Sequence, residues 1–442
     1  MKKKIDTMSL WILLVLALAL SGCRPASSEP RELATGHWFK PTSEPVISSP
    51  VAYDFDGNGS KEIAVGSWDG HLYLLDAQLN DLPGWPKYSP DGFFSSPALA
   101  DLDGNGQPEI IAGSESGKLF AWHVDGSNAT GFPVDLGYKL WASPTIVEGD
   151  HIAIGGKEQF FVLDPQGHTI AGWPQAIHGW PDATAAYAPG ILVVSTLTPG
   201  DPSRGWLHAW SEEGVPLENS PLELSTDSDS SPALADLDGN GQWWIIFGDD
   251  AGWLHVVDRS GQPRTGFPVR TLGHVSGPTP TPHPPGGNIH SIEASPAIAD
   301  IDRDGTPDIA VGSWDGHMYL WDRHGQHLPG WPVRVGDQII SSAALVDLNG
   351  DDQLDIIVGS KDGFLYGWTA TAQPLPGFPY YLNAPVFSSP WVGDLEADDR
   401  ADIVVGANNG IHVLQNVGAL GRRTWPMFHR DMARSGAYQN EP

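Results

Sequence analysis

The sequence predicts an all-β chain folded as an eight-bladed β-propeller with four-stranded blades, and three observations predict it. Ser-Ser-Pro or a near variant recurs with ends at Pro50, Pro97, Pro144, Pro232, Pro296, Ala343 and Pro390, at intervals of 47, 47, 88, 64, 47 and 47 residues. Short apolar runs are punctuated throughout by glycine (52) and proline (39), and no sustained helical period appears in the 442 residues. Each interval holds four such runs, the signature of a unit that cannot bury both its faces alone and must stack with its neighbours into a ring.

The second repeat shows the layout. Ser96-Pro97-Ala98-Leu99-Ala100 is a small apolar first strand and Asp101 to Gly106 a turn. Glu109 to Gly113 reads as a buried second strand, Lys118 to Trp122 as the third, and Gly131-Phe132-Pro133 leads into the fourth. The interval of 88 conceals a degenerate repeat around Asp182 to Trp210, and the interval of 64 is one period plus a Pro-rich insertion placed at 271–290. The count is eight, over 36–421, with 422–442 as a closing or capping segment. Gly36-His37-Trp38-Phe39 and Trp425-Pro426-Met427-Phe428 both resemble the Gly-Trp-Pro entry to a fourth strand. One of them completes the last blade; the other covers an edge or caps the ring.

Ahead of the propeller, Lys2, Lys3 and Lys4 precede an apolar run from Met8 to Leu20, too short to span about 30 Å of hydrocarbon as a helix. Residues 1–22 therefore read as a signal peptide. Leu20-Ser21-Gly22-Cys23 resembles the bacterial lipobox, which implies lipidation of Cys23, followed by a tether over 23–35. The expected location is extracytoplasmic, anchored by lipid to a bacterial membrane, at the cell surface or in the periplasm.

Charge narrows the function classes. There are 24 Lys plus Arg against 54 Asp plus Glu, a net charge of -30, so nucleic acid and electrostatic membrane docking are excluded as partners; the membrane is reached only through the anchor. One cysteine rules out intramolecular disulfides and Cys-based zinc sites.

Much of the acidity lies in six loops that follow the first strand and carry oxygen ligands at positions 1, 3, 5 and usually 9. Loop one has Asp54, Asp56, Asn58 and Glu62; loop two Asp101, Asp103, Asn105 and Glu109; loop six Asp300, Asp302, Asp304 and Asp308. Loop seven has Asp347, Asn349, Asp351 and Asp355, and loop eight Asp394, Glu396, Asp398 and Asp402. Loop five has Asp236, Asp238 and Asn240 but Trp244 at position 9, so its site is expected to be weaker or empty. Three side chains, a position-7 carbonyl and a closing carboxylate suit a hard cation with about six oxygens, and calcium fits such a flexible cage better than magnesium. About five or six calcium ions are expected. An EF-hand would need Glu at position 12, where loop one has Val65. Polar hairpin turns would explain one or two copies, not six in register.

The full pattern Asp-x-Asp-x-Asp-Gly-x-x-Asp at Asp300 to Asp308, with the Ser-Pro-Ala-Leu-Ala-Asp-Leu-Asp lead and the Ile-Ala-Val-Gly tail, resembles the FG-GAP/VCBS repeats of integrin alpha-subunit propellers and many bacterial surface proteins. The resemblance covers 45–415 and implies a propeller with calcium at the rim of one face, and no reaction. Val147 to Asp150 in repeat three and Ala188 to Gly190 in repeat four depart from it and are expected to bind no metal. The turns Gly66 to Tyr73 and Gly312 to Tyr319 also resemble those of quinoprotein-type propellers, which is structural information only.

Motifs of hydrolases and NTPases are absent. His208, His255 and His412 occupy the third-strand position of Tyr73, Phe120, Tyr319 and Tyr366 and read as structural. The more informative position precedes Ser-Ser-Pro, on the face opposite the acidic loops. It is Ile340, Phe387, Ile47, Phe94 and Trp141 in one arc, then Asp229 and Glu293 in the next, with Trp68 and Trp314 on the same face. This predicts a two-sided funnel for an amphipathic ligand; ordinary packing between blades is the simpler alternative. The sequence reads as a monomeric, non-catalytic binding or adhesion scaffold for a glycan or protein ligand at the cell surface. The alternatives are a calcium-dependent carbohydrate-active lyase, for which Lys139, Lys157 and Lys361 form no constellation, and an envelope-assembly scaffold.

Overall fold

A computed structural model describes residues 36–198, 201, 203–272 and 291–439. The expected signal peptide (1–22), Cys23, the tether up to residue 35 and the Pro-rich insertion from residue 273 on lie outside the described residues, as do 440–442. Among the described residues there is no helix, and the strands form eight separate sheets, one per repeat, arranged as an eight-bladed propeller.

Blade two shows the common design: Ala98–Ala100, Glu109–Gly113, Lys118–Trp122 and Val134–Asp135 pair antiparallel in that order from the centre outward. The second strand is buried along its whole length because both sheet faces are covered by neighbouring blades. This is why it reads as a continuous apolar run rather than an alternating one. The glycine that ends it answers a close approach: a Cβ on Gly113 would lie 2.7 Å from Leu140 Cβ, and one on Gly312 2.2 Å from Ile339.

The ring closes through the N-terminal candidate. Gly36–Pro41 pairs antiparallel with Gly410–Ala419 and supplies the outer strand of blade eight, whose three inner strands come from the C-terminal end of the chain.

The C-terminal candidate does something else. Arg423–Trp425 pairs with the first strand of blade seven, and Ala437–Tyr438 runs parallel to that of blade five. Between them, backbone carbonyls accept from the first-strand N–H of Val392, Leu99, Ile146, Tyr187 and Leu234 in blades eight, two, three, four and five. The segment thus winds through the channel and satisfies inner edges that would otherwise bury unpaired donors. At its centre Arg434 is fully buried. Its guanidinium donates to the carbonyls of Pro97, Phe428, Ser49 and Pro50 at 2.7–3.3 Å, joining the plug to blades one and two.

The repeated Ser-Ser-Pro forms a second ring. Ser49 N donates to Ser96 Oγ (2.8 Å), Ser96 N to Ser143 Oγ (2.9 Å), Ser143 N to Thr184 Oγ1 (3.0 Å) and Thr184 N to Ser231 Oγ (2.9 Å). Past blade six, Ser295 N donates to Ser342 Oγ (3.0 Å), Ser342 N to Ser389 Oγ (2.9 Å) and Ser389 N back to Ser49 Oγ (3.0 Å). Between blades five and six, Ser230 Oγ donates to the Ala294 carbonyl instead, at 3.1 Å. Each blade entry is fixed to the next by a hydroxyl too short to reach any other blade.

Candidate metal loops and a blind funnel

The acidic loops share one backbone device. In loops one, two, six, seven and eight the position-9 carboxylate is buried. One of its oxygens accepts the N–H of position 2: Phe55 to Glu62, Leu102 to Glu109, Ile301 to Asp308, Leu348 to Asp355 and Leu395 to Asp402, all at 2.6–3.0 Å. Positions 4 and 6 are left-handed, by glycine at Gly57 and Gly59 in loop one and without it at Ala397 and Asp399 (φ 58° and 62°) in loop eight. In loop six these reversals bring the side chains of positions 1, 3 and 5 toward one point.

The loops then diverge. In loop one Asp54, Asp56 and Glu62 offer oxygens within 4.8 Å of one another, and in loop six Asp300, Asp302 and Asp304 do the same. Asp300 Oδ1 is buried without a hydrogen-bond partner among the described residues, and burial lifts Asp308 to about 8, with Asp302 and Asp304 adding repulsion. An all-oxygen donor set with an orphaned buried carboxylate oxygen fits a hard cation. Burial also raises Asp355 in loop seven, to about 7.

In loop two His123 Nδ1 lies 2.9 Å from the free oxygen of Glu109. In loop eight Glu396 is drawn aside by Gln78 (2.6 Å) and Gln415 (2.7 Å), and both Asp402 oxygens are engaged by backbone N–H groups. Loop five has its own cation. Arg264 grips Asp238 with two 2.7 Å hydrogen bonds and stacks 4.7 Å from the Trp244 ring. The guanidinium thus takes the oxygens of position 3, and Trp244 at position 9 is its platform. His123 and Arg264 come from the outer parts of their blades, where the loop pattern gives no signal. Blades three and four turn tightly, and in place of loops an apolar cleft of about 610 Å³ opens between them, lined by Val147, Ile170, Tyr187 and Leu192 among others.

On the opposite face the seven predicted positions converge. Ile47, Phe94, Trp141, Asp229, Glu293, Ile340 and Phe387 line one cavity of about 310 Å³ whose neck is the hydroxyl ring and whose wall includes Phe428 of the C-terminal segment. The funnel is therefore blind, not a channel mouth. Phe94 stacks obliquely against Trp141 at 5.7 Å and against the exposed Trp68 at 5.9 Å, so Trp68 flanks the cavity; Trp314 lies beside Glu293.

The acidic arc is larger than the sequence indicated. Asp182 also lines it, and Asp250 stands behind, with Asp229, Asp250 and Glu293 offering oxygens within 4.8 Å of one another. Burial raises Glu293 to about 8 and Asp182 and Asp250 to about 6, and holds Asp229 well above the usual carboxylate range, with Glu293 and Asp250 adding repulsion. The signal for Asp182 was present, since it precedes Asp229 by 47 residues.

The third-strand residues are tied to the turns of their own blades. Tyr73 and Tyr366 donate to Asp69 and Asp362 in the preceding turns at 2.7 Å, and His255 pairs with Asp249 at 2.8 Å.

Comparison with known proteins agrees with this architecture. The FG-GAP-like repeat model matches residues 41–112 and 300–358. No curated protein sequence gives a significant match. Among solved structures the chain is similar to europium-containing methanol dehydrogenase, with a TM-score of 0.60 and 14% identity over 85% of each chain. It is similar to BamB from Moraxella catarrhalis, at 0.52 and 17% over 84% of this chain and 97% of that one. The computationally designed Ika8 protein matches at 0.58 and 14% over 86% and 98%. Identities this low carry the fold alone. With matches to the repeat on two separate stretches and eight blades of one design, the chain is an eight-bladed β-propeller that carries FG-GAP-like repeats at 41–112 and 300–358.

Proposed function

We propose that this propeller is a calcium-stabilised, non-catalytic binding scaffold, held outside the cytoplasm by a lipid on Cys23, that engages a glycan or protein ligand at its funnel. The convergence of seven positions, one from each of seven repeats, on a single blind cavity carries the reading. Simple packing between blades would bury these side chains, whereas all seven are partly exposed. Calcium is supported by loops one and six, where bound ions would neutralise carboxylates that the backbone holds together.

Two measurements test the reading. Thermal melting with and without a chelator should differ by many degrees; a difference under about 2 °C would contradict stabilisation by several ions. Phe94→Ala and Trp141→Ala should remain folded and lose retention of a surface glycan or protein ligand. Loss of folding instead would return these residues to packing.

A further inference from the structure

The funnel's two walls differ in chemistry, and both lie within reach of one small molecule. Asp182, Asp229 and Glu293 form one side, with Asp250 behind them, and Phe94 and Trp141 belong to the other. Asp229 Oδ1 is buried and has no hydrogen-bond partner among the described residues. Among the described residues the basic groups nearby are committed elsewhere. Lys361, which acts on Glu293, donates to Gln338 Oε1 at 3.1 Å, and Lys139 is paired with Glu115 at 2.7 Å while lying 5.8 Å from the centroid of the Trp141 ring. Asp227 adds a further negative charge close behind Asp229. A cavity of about 310 Å³ is at the small end of ligand pockets, which run about 300–1,000 Å³, so it admits one small molecule or one protruding group and no folded partner.

Resting on the funnel as the ligand site, we infer that it takes a small organic cation: an ammonium group among Asp182, Asp229 and Glu293, with an apolar or aromatic body against Phe94 and Trp141. A bare divalent ion would satisfy the carboxylates and leave the aromatic wall uncovered. A neutral apolar ligand would give the acidic groups, which repel one another when ionised, no positive charge to ionise against. An amine joined to a ring meets both, with the aromatic faces adding attraction for the cation.

The test uses phenethylamine and its neutral isostere 2-phenylethanol, titrated calorimetrically into the calcium-loaded protein. The amine should bind at least about tenfold more tightly, a difference of about 1.4 kcal/mol. Glu293→Gln and Asp229→Asn should remove that preference while retaining 2-phenylethanol binding, and Phe94→Ala should weaken both probes. Circular dichroism confirms the fold of each variant, and Asp182→Asn serves if the more buried substitutions unfold. Equal affinity for the two probes, or an amine preference that survives all three acid variants, overturns the inference. So does calcium or magnesium displacing the amine through Glu293, which would make the cluster a metal site. If 2-phenylethanol, a glycan or a peptide binds in a Phe94-dependent way and the amine does not, the charge assignment fails and the scaffold reading stands. If no binding depends on Phe94 or Trp141, the funnel itself is not the ligand site.

Discussion

Loops five and six begin alike and end differently. Both carry acidic oxygens at positions 1 and 3 of a tight left-handed turn, but position 9 is Asp308 in loop six and Trp244 in loop five. In loop six the position-9 carboxylate is buried, Asp300, Asp302 and Asp304 offer oxygens within 4.8 Å of one another, and Asp300 Oδ1 has no hydrogen-bond partner among the described residues, a donor set that fits a cation. In loop five the indole supports Arg264, which neutralises Asp238 from within the chain. Position 9 therefore separates a loop whose oxygens are left open to a cation from one whose position-3 carboxylate is neutralised by an arginine of its own blade. The funnel acids follow a third course, with neither a closing loop nor a bidentate arginine.

The largest test of this contrast is Asp308→Asn. Loss of one ion held at about a hundred times its dissociation constant costs about 2.7 kcal/mol, and over a chain of this length the melting temperature should fall about 3–4 °C in calcium and hardly at all in chelator. An equal fall in both conditions would make loop six a polar turn and erase its difference from loop five.

Next comes Glu293→Gln, which probes the acids that have no such partner. Because burial raises this carboxyl to about 8 in the folded protein, the proton it keeps stabilises the fold below its ordinary value of 4.5, and that contribution is lost as pH rises through about 8. The variant should melt about 2–3 °C higher than wild type at pH 8 and equally at pH 4. An unchanged melting temperature at pH 8 would show the cluster to be compensated already.

Arg264→Met should lower stability by about 1–2 °C in melting temperature, because Asp238 loses both charge-assisted hydrogen bonds, and added calcium should not restore it. Rescue by calcium would show that the guanidinium only displaces an ion. The smallest effect belongs to Ala397→Gly in loop eight. It relieves a left-handed non-glycine residue that glycine occupies in loop one, and should raise the melting temperature by less than about 1 °C.

These particulars show where sequence reading succeeds and stops. Blade number, strand order and funnel positions were legible because each is periodic, and a period of 47 carries its own alignment. Asp182 was hidden only by the degeneracy of its repeat. The choice of closing strand was not legible, since both chain ends carry the same aromatic signature and the decision belongs to pairing between residues 375 apart, such as His37 and His412. Arg264 and His123 escaped because their role depends on the side chain they meet across a turn. In the sequence the serines mark only the spacing; their hydroxyl chain becomes visible only when neighbouring blades stand side by side.

The C-terminal segment has a consequence for how the molecule is made. A nascent chain delivers blade one first, yet the carbonyl partner of Leu99 N–H in blade two, at Met432, is synthesised more than three hundred residues later. Until then the early blades have open inner edges, and Gly36–Pro41 waits for its partner strand in the last tenth of the sequence. The assembly is thus governed by its slowest long-range contacts, the regime in which folding takes longest and half-made sheets are most prone to pair with the wrong neighbour. A ring whose centre is threaded by the segment from Pro426 to Gly436 closes fully only once that segment has been made. Substitution of Arg434, which ties that segment to blades one and two, should therefore lower the yield of folded molecules before it lowers their stability.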